Sequence, residues 1–221
     1  MIELKDVKKN YGDRTVLWVD LLKIKKGERL SLTGANGSGK STLLKIIAGI
    51  ITCDGYVEVP QKVLYMPQKT VLFDMSVLHN VTYSLNGKRK EKEEKAMEAL
   101  RKTGLSELYN KNALTLSGGE GARLALARIL VNDCDVLLLD EPTGAVDVEG
   151  TEIVEKALRE YTEKNGCTLI TATHSPLQAK RLSERVIMLQ DGRIAEDCTP
   201  EEFFLAPKTD FGKKFVSMWS Y

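Results

Sequence analysis

Histidine and cysteine are scarce in this 221-residue chain: two histidines, His79 and His174, and four cysteines, Cys53, Cys134, Cys167 and Cys198, with no C-x-x-C pair. That excludes a zinc finger or ribbon and a thioredoxin-like redox motif, and it predicts reduced thiols. Long apolar runs are missing as well. No stretch approaches the roughly 20 residues that a transmembrane helix needs, and Met1-Ile2-Glu3-Leu4-Lys5 is no signal peptide, so a chain soluble by itself is expected. An excess of one charge is also lacking. The 32 Lys and Arg against 31 Asp and Glu leave a net charge of +1, which argues against general electrostatic affinity for nucleic acid or anionic lipid. There is no internal repeat and no low-complexity linker. What is present, with 43% hydrophobic residues, suits one large α/β domain carrying a smaller inserted subdomain.

Apolar and polar residues alternate over Ile2–Lys8, as in a half-exposed strand, and Val16–Ile24 reads as a second strand. Lys26-Gly27-Glu28 is a turn before a short buried strand, Arg29–Thr33, and two more short strands are expected at Tyr56–Val59 and Val63–Tyr65. From about Lys69 to Ser117 the character changes. Asn86–Lys95 is dense in charge, with Arg89/Glu93, Lys90/Glu94 and Glu91/Lys95 at i,i+4 spacing. Ala96, Ala99 and Leu100 supply an apolar stripe, and Gly104 a stop. This predicts a mainly helical subdomain over roughly residues 69–118, within a single domain spanning 1–221. His79 falls in no motif and is expected at the surface or in subdomain packing. Thereafter helices (Arg123–Val131, Glu149–Lys164, and one through Ala179–Leu182) alternate with strands (Asp135–Leu139, Thr168–Thr173, Arg185–Gln190). That order argues for a mainly parallel sheet, beside the antiparallel β layer of the first part.

Gly34-Ala35-Asn36-Gly37-Ser38-Gly39-Lys40-Ser41 fits the pattern G-x-x-x-x-G-K-[ST] between a strand and a helix, with Thr42 following. Glycines let backbone N–H groups approach phosphate oxygens, Lys40 adds a point charge, and the Ser41 hydroxyl suits Mg²⁺. The helix that follows, expected over Lys40–Ile50, adds its N-terminal dipole. The strand Val136–Leu139 runs into two acids, Asp140 and Glu141, whose side chains point apart. Asp140 can hold Mg²⁺, directly or through water, while Glu141 can polarise an attacking water. Leu116-Ser117-Gly118-Gly119-Glu120 makes a second phosphate-sized nest before a helix starting near Glu120, which suggests one nucleotide sandwiched between two copies.

With these motifs in this order, the chain resembles an ABC-transporter nucleotide-binding domain over essentially its whole length. The resemblance makes Gly34–Ser41 the Walker A loop, Val136–Asp140 the Walker B strand and Leu116–Glu120 the signature. Tyr11 becomes the aromatic that stacks on adenine, and Gln68, in Met66-Pro67-Gln68, the glutamine that senses Mg²⁺ or the attacking water. Glu141 becomes the catalytic carboxylate, Pro142–Asp147 the D-loop and His174 the switch histidine that stabilises the γ-phosphate. Departures are modest: Glu120 stands where glutamine is commoner, Gly121-Ala122 precedes Arg123, and the D-loop carries Gly144 and Val146.

The resemblance implies a P-loop NTPase core that binds ATP and Mg²⁺ and hydrolyses ATP. It implies a head-to-tail dimer with a second copy, separate transmembrane permease subunits, a solute-binding protein in the full system and a place on the cytoplasmic face of the cell membrane. A chain complete at both ends, without a fused membrane domain, resembles prokaryotic importers of small solutes, and Phe73–Val77 those of inorganic ions. An exporter, or a lipid or peptide extruder, is the alternative. An ABC ATPase acting on nucleic acid or ribosomes would carry a long coiled coil or a second such domain. Here 74 residues separate Ser41 from Leu116, and no nucleic-acid partner is expected. A small-molecule kinase leaves Leu116–Glu120 and His174 unexplained.

Overall fold

The computed structural model describes residues 1–218, which separate into two compact units. Among the described residues, the first comprises Met1–Tyr65, Asp135–Glu141 and the chain from Gly166 to Met218, the second Met66–Cys134 and Pro142–Asn165.

In the first unit, β1 (Ile2–Tyr11) pairs antiparallel with β2 (Arg14–Ile24) and with β4 (Asp54–Glu58) in a three-stranded sheet. Ile2, Leu4 and Val7 all point inward, although strict alternation would put Asp6 there. A bulge resolves the conflict: Asp6 turns into left-handed backbone at φ 50°, and the pairing with β4 shifts between Lys5 and Lys8. Gly55 is what permits it, because a Cβ there would run into the Asp6 carbonyl.

A six-stranded sheet has the order β5 (Val63–Met66), β6 (Val136–Asp140), β7 (Thr168–Ala172), β3 (Arg29–Thr33), β8 (Arg185–Gln190), β9 (Arg193–Cys198). Strands β6, β7, β3 and β8 run parallel, and β9 closes the edge antiparallel to β8. All five residues of β6 and of β7 are buried, as expected of parallel strands covered on both faces. Helix α1 (Lys40–Ile47) joins both sheets in one core: Leu43, Leu44, Ile46 and Ile47 meet Leu4, Val19, Leu32, Leu138, Ile170 and Ile187. It stops at Ile47, three residues short of the sequence expectation, with Gly49 left-handed at φ 67°.

On the other face, α6 (Pro176–Leu182), α7 (Pro200–Leu205) and α8 (Asp210–Ser217) pack around Phe203, with Ala179, Val186, Met188 and Phe215. Neither α7, α8 nor β9 was expected from the sequence. The α7–α8 corner is held by the buried Glu196 carboxylate, which accepts from the backbone N–H groups of Lys208 (3.1 Å) and Thr209 (2.9 Å) and from the Thr209 hydroxyl.

The second unit is helical. Its core joins Val77 and Val81 of α2 (Val77–Thr82), Ala96, Ala99 and Leu100 of α3 (Arg89–Lys102), and Leu124 and Ala127 of α4 (Gly118–Leu130). The apolar stripe of α3 is the predicted one, and of the three expected ion pairs Arg89–Glu93 forms, at 2.7 Å. Gly104, at φ 67°, ends the helix, and the Leu105 N–H returns to the Leu100 carbonyl. His79 sits on α2, exposed at the surface. Helix α5 (Val148–Asn165) completes the unit. Helix α4 begins two residues before the expected start, because Ser117 rather than the glycines is its cap.

Candidate functional site

The loop between β3 and α1 needs backbone that only glycine adopts without strain. Gly34, Gly37 and Gly39 lie at φ 133°, 78° and 107°. A Cβ on Gly34 would overlap the Leu189 carbonyl of β8, so the loop lies directly on the sheet. The turn between β8 and β9 supports it from behind: the Gly192 N–H donates to the Ser38 carbonyl (3.1 Å), and the Trp18 N–H donates to the Gly192 carbonyl (2.7 Å). Ala35, Asn36 and Gly37 are exposed at the rim, Ser41 and Thr42 half-buried at the helix start. The Ser38 hydroxyl is buried with no hydrogen-bond partner among the described residues, an orphan that a phosphate oxygen would satisfy.

Lys40 is buried, and its ammonium donates to the carbonyls of Gly34 (2.7 Å) and Ala35 (3.1 Å). Burial pulls its pKa below the ordinary lysine range, against the opposing pull of Glu141 and Asp140. The chain thus gathers one cation and two acids around a glycine loop.

Asp140, the last residue of β6, is buried, and the Tyr65 hydroxyl of β5 donates to its Oδ2 across a long 3.4 Å. This contact joins residues 75 apart, and no motif in the sequence announces it. Glu141 follows with φ 52°, left-handed backbone that costs a non-glycine residue about 1–2 kcal/mol. The conformation is held by the Glu141 N–H, which donates to the Ala172 carbonyl of β7 at 2.9 Å. It carries the carboxylate to His174, whose Nδ1 lies 2.8 Å from Oε2. An ionised carboxylate only accepts, so Nδ1 carries the proton in that pair. His174 sits in the loop after β7. The Thr173 N–H bonds the Leu32 carbonyl, the Ser175 N–H donates to Thr173 Oγ1, and the Ser175 hydroxyl caps α6.

Tyr11 stands at the end of β1, paired with Arg14 across a two-residue turn, with its ring 55% exposed and the Lys9 ammonium 5.3 Å above it. The flat face is available for stacking.

The remaining predicted residues belong to the second unit. Gln68 is exposed in the loop after β5. Ser117 caps α4 in a capping box: its hydroxyl accepts from the Glu120 N–H (3.3 Å), and the Glu120 carboxylate accepts from the Ser117 N–H (2.8 Å). That backbone bond holds the Glu120 carboxyl below the usual carboxylate range. Gly119 lies so close to the Ala145 carbonyl that a Cβ would sit 3.2 Å from it, which places Ser117–Glu120 beside Pro142–Asp147 of the same unit.

Known proteins share these features. The family model described as ABC transporter matches residues 20–144. The tungstate uptake system ATP-binding protein of Peptoclostridium acidaminophilum is 39% identical over 88% of this chain and 97% of its own length. A spermidine/putrescine import ATP-binding protein of Clostridioides difficile is 37% identical over 98% of this chain and 67% of its own. Among solved structures, a dimeric ATP-binding cassette in a post-hydrolysis state with ADP and Pi superposes with a TM-score of 0.83 at 30% identity, covering 90% of this chain and 99% of that one. Among the described residues, no helix is long and apolar enough to cross a membrane.

Proposed function

From the premise that this chain belongs to the ABC transporter family, as an ATP-binding and ATP-hydrolysing importer subunit, we propose that each of its two units supplies one half of an ATP site in a head-to-tail dimer. Gly34–Thr42 of one copy holds the phosphates, Tyr11 stacks on the base, and Ser117–Glu120 of the second copy closes over the γ-phosphate. The observation that carries this reading is the Glu141–His174 pair, 2.8 Å apart, in the same unit as the glycine loop and the buried Lys40.

Glu141 acts as general base toward the attacking water, and the His174 ring, released from Glu141, donates to the γ-phosphate oxygen where charge builds up. Lys40, held at depressed pKa by burial, gains a full anionic partner when a triphosphate replaces the carbonyls it now bonds. Ser41 and Asp140 offer a hydroxyl and a carboxylate, the hard oxygen donors that suit Mg²⁺, and the orphan Ser38 hydroxyl marks the same loop as unfinished without phosphate. Mg²⁺ bound there would neutralise β- and γ-phosphate charge. Gln68 serves as the sensor of that cation or of the attacking water.

ATP binding closes the sandwich, because only the closed state makes contacts from both copies to one nucleotide, and hydrolysis removes them. The movement reaches a separate permease through the helical unit. Just after Gln68, the exposed Val71 and Tyr83 flank Phe73, whose ring the Arg128 guanidinium covers at 4.4 Å while bonding the Val71 carbonyl at 2.6 Å. This apolar rim suits a permease segment, and it would place the subunit on the cytoplasmic face of the membrane, with a solute-binding protein completing the system. The cargo is a small solute, the class to which tungstate and the polyamines in the relatives' names belong.

The test is Glu141→Gln. ATP should bind with unchanged affinity, ATP-dependent dimer should accumulate on size exclusion, and turnover should fall by at least about 10²-fold. Unchanged turnover overturns the assignment.

A further inference from the structure

We infer that Tyr65 is a positioning residue for Asp140, setting the orientation of that carboxylate through its hydroxyl and thereby the affinity of the site for a divalent cation. The inference rests on the reading above that Asp140 is a cation ligand.

Asp140 is 3% exposed, so its carboxylate has been taken out of water and needs donors from the protein. Among the described residues, Tyr65 supplies a hydrogen-bond donor, reaching Oδ2 from the neighbouring strand of the same sheet. The contact is long, 3.4 Å, and its value lies in where it points. It occupies one oxygen of the carboxylate and opposes rotation about the bond that carries it. The donor itself cannot swing away, because the Tyr65 ring packs against the main core with Val63. A carboxylate beside a cation commonly needs such an outer partner to fix its direction, and losing one costs about 10–100-fold in metal affinity.

The placement has a second consequence. Tyr65 lies three residues before Gln68, on the strand that leads into that loop. The strand end that orients Asp140 is therefore the same strand end from which the Gln68 loop departs, so a displacement of that loop that pulls on β5 alters the hold on Asp140.

Tyr65→Phe keeps the ring and removes only the hydroxyl. The full chain, loaded with a non-hydrolysable ATP analogue, is titrated with Mn²⁺ and followed by electron paramagnetic resonance, beside Asp140→Asn. Tyr65→Phe should weaken Mn²⁺ about tenfold, the low end of the outer-partner range, given the long contact. ATP affinity in the presence of a chelator should change less than about twofold, a split that general damage to the fold would not produce. Tyr65→Met, which also lacks the donor, should read the same way if the Phe variant is poorly expressed. Unchanged Mn²⁺ affinity in Tyr65→Phe with weakened affinity in Asp140→Asn overturns the role of Tyr65 alone. Unchanged affinity in both overturns the placement of the cation at Asp140, and this inference with it.

Discussion

A single glycine outside every motif shows how the phosphate loop is held. Gly192, at φ 78°, receives the Trp18 N–H and gives its own N–H to the Ser38 carbonyl, so it connects β2 to the back of the loop. A Cβ there would come within 2.6 Å of the Val16 carbonyl, a backbone atom that cannot step aside. Gly192→Ala should therefore displace the loop: ATP affinity, measured by titration with a fluorescent analogue, should fall about tenfold or more, since a misplaced backbone N–H loses a charge-assisted bond. Gly166→Ala is the matched control, with φ 59° and no atom within 4 Å of the added methyl. It should cost about 1–2 kcal/mol of stability from backbone strain alone and leave ATP affinity unchanged. Equal ATP affinity in the two variants would show that the Gly192 contact does not position the loop.

At the scale of elements, α4 rests on a reciprocal cap. Ser117→Ala removes the hydroxyl that satisfies the Glu120 N–H and should cost about 1 kcal/mol, a melting shift of roughly 2–4 °C for a chain of this size. Because the folded state holds Glu120 below the usual carboxylate range, its contribution is fully present above that range and is lost as the pH falls through the depressed value. Acid should therefore narrow the gap between wild type and Glu120→Gln in thermal melts, and a gap that widens on acidification would refute the assignment. The cap also shows what a sequence discloses. Ser117-Gly-Gly-Glu120 was legible as a nest, yet its serine reads equally as a phosphate donor and as an N-cap, and the structure uses it as the cap. The parallel strands were legible because burial on both faces makes them continuous apolar runs. Helices α7 and α8 were not, since six and eight residues leave too little periodicity to see, although Thr199-Pro200-Glu201-Glu202 spells a capping box with proline at the first turn. The bulge at Asp6 and the Tyr65–Asp140 contact were hidden for another reason: each depends on a partner strand that local pattern does not identify.

At the scale of the whole molecule, one chain carries the two proposed phosphate nests, a lysine-bearing loop in one unit and a capped helix start in the other. If each nest completes the other's site only between copies, mixing two different dead subunits must rebuild one intact site. Lys40→Ala removes the charge from the first nest. Gly118→Asp spoils the second with a negative charge, and it does so without harming the fold, because an added Cβ meets nothing nearer than the Ala145 Cβ at 4.0 Å and an acid suits the first turn of a helix. Each homodimer then lacks one half of both its sites. The mixed dimer has one site with Lys40 and Gly118 both intact, and one with neither. Random pairing in an equal mixture makes half the dimers mixed, so ATPase activity should recover to about a quarter of wild type if the two sites fire independently, and to nearly nothing if they must fire together. These outcomes separate cleanly by adding an ATP-binding readout: under either rule the mixture should form nucleotide-dependent dimers that neither variant forms alone. Absence of mixed dimers with ATP, where wild type forms them, would mean that the two nests do not share a nucleotide across copies, and the sandwich would have to be abandoned.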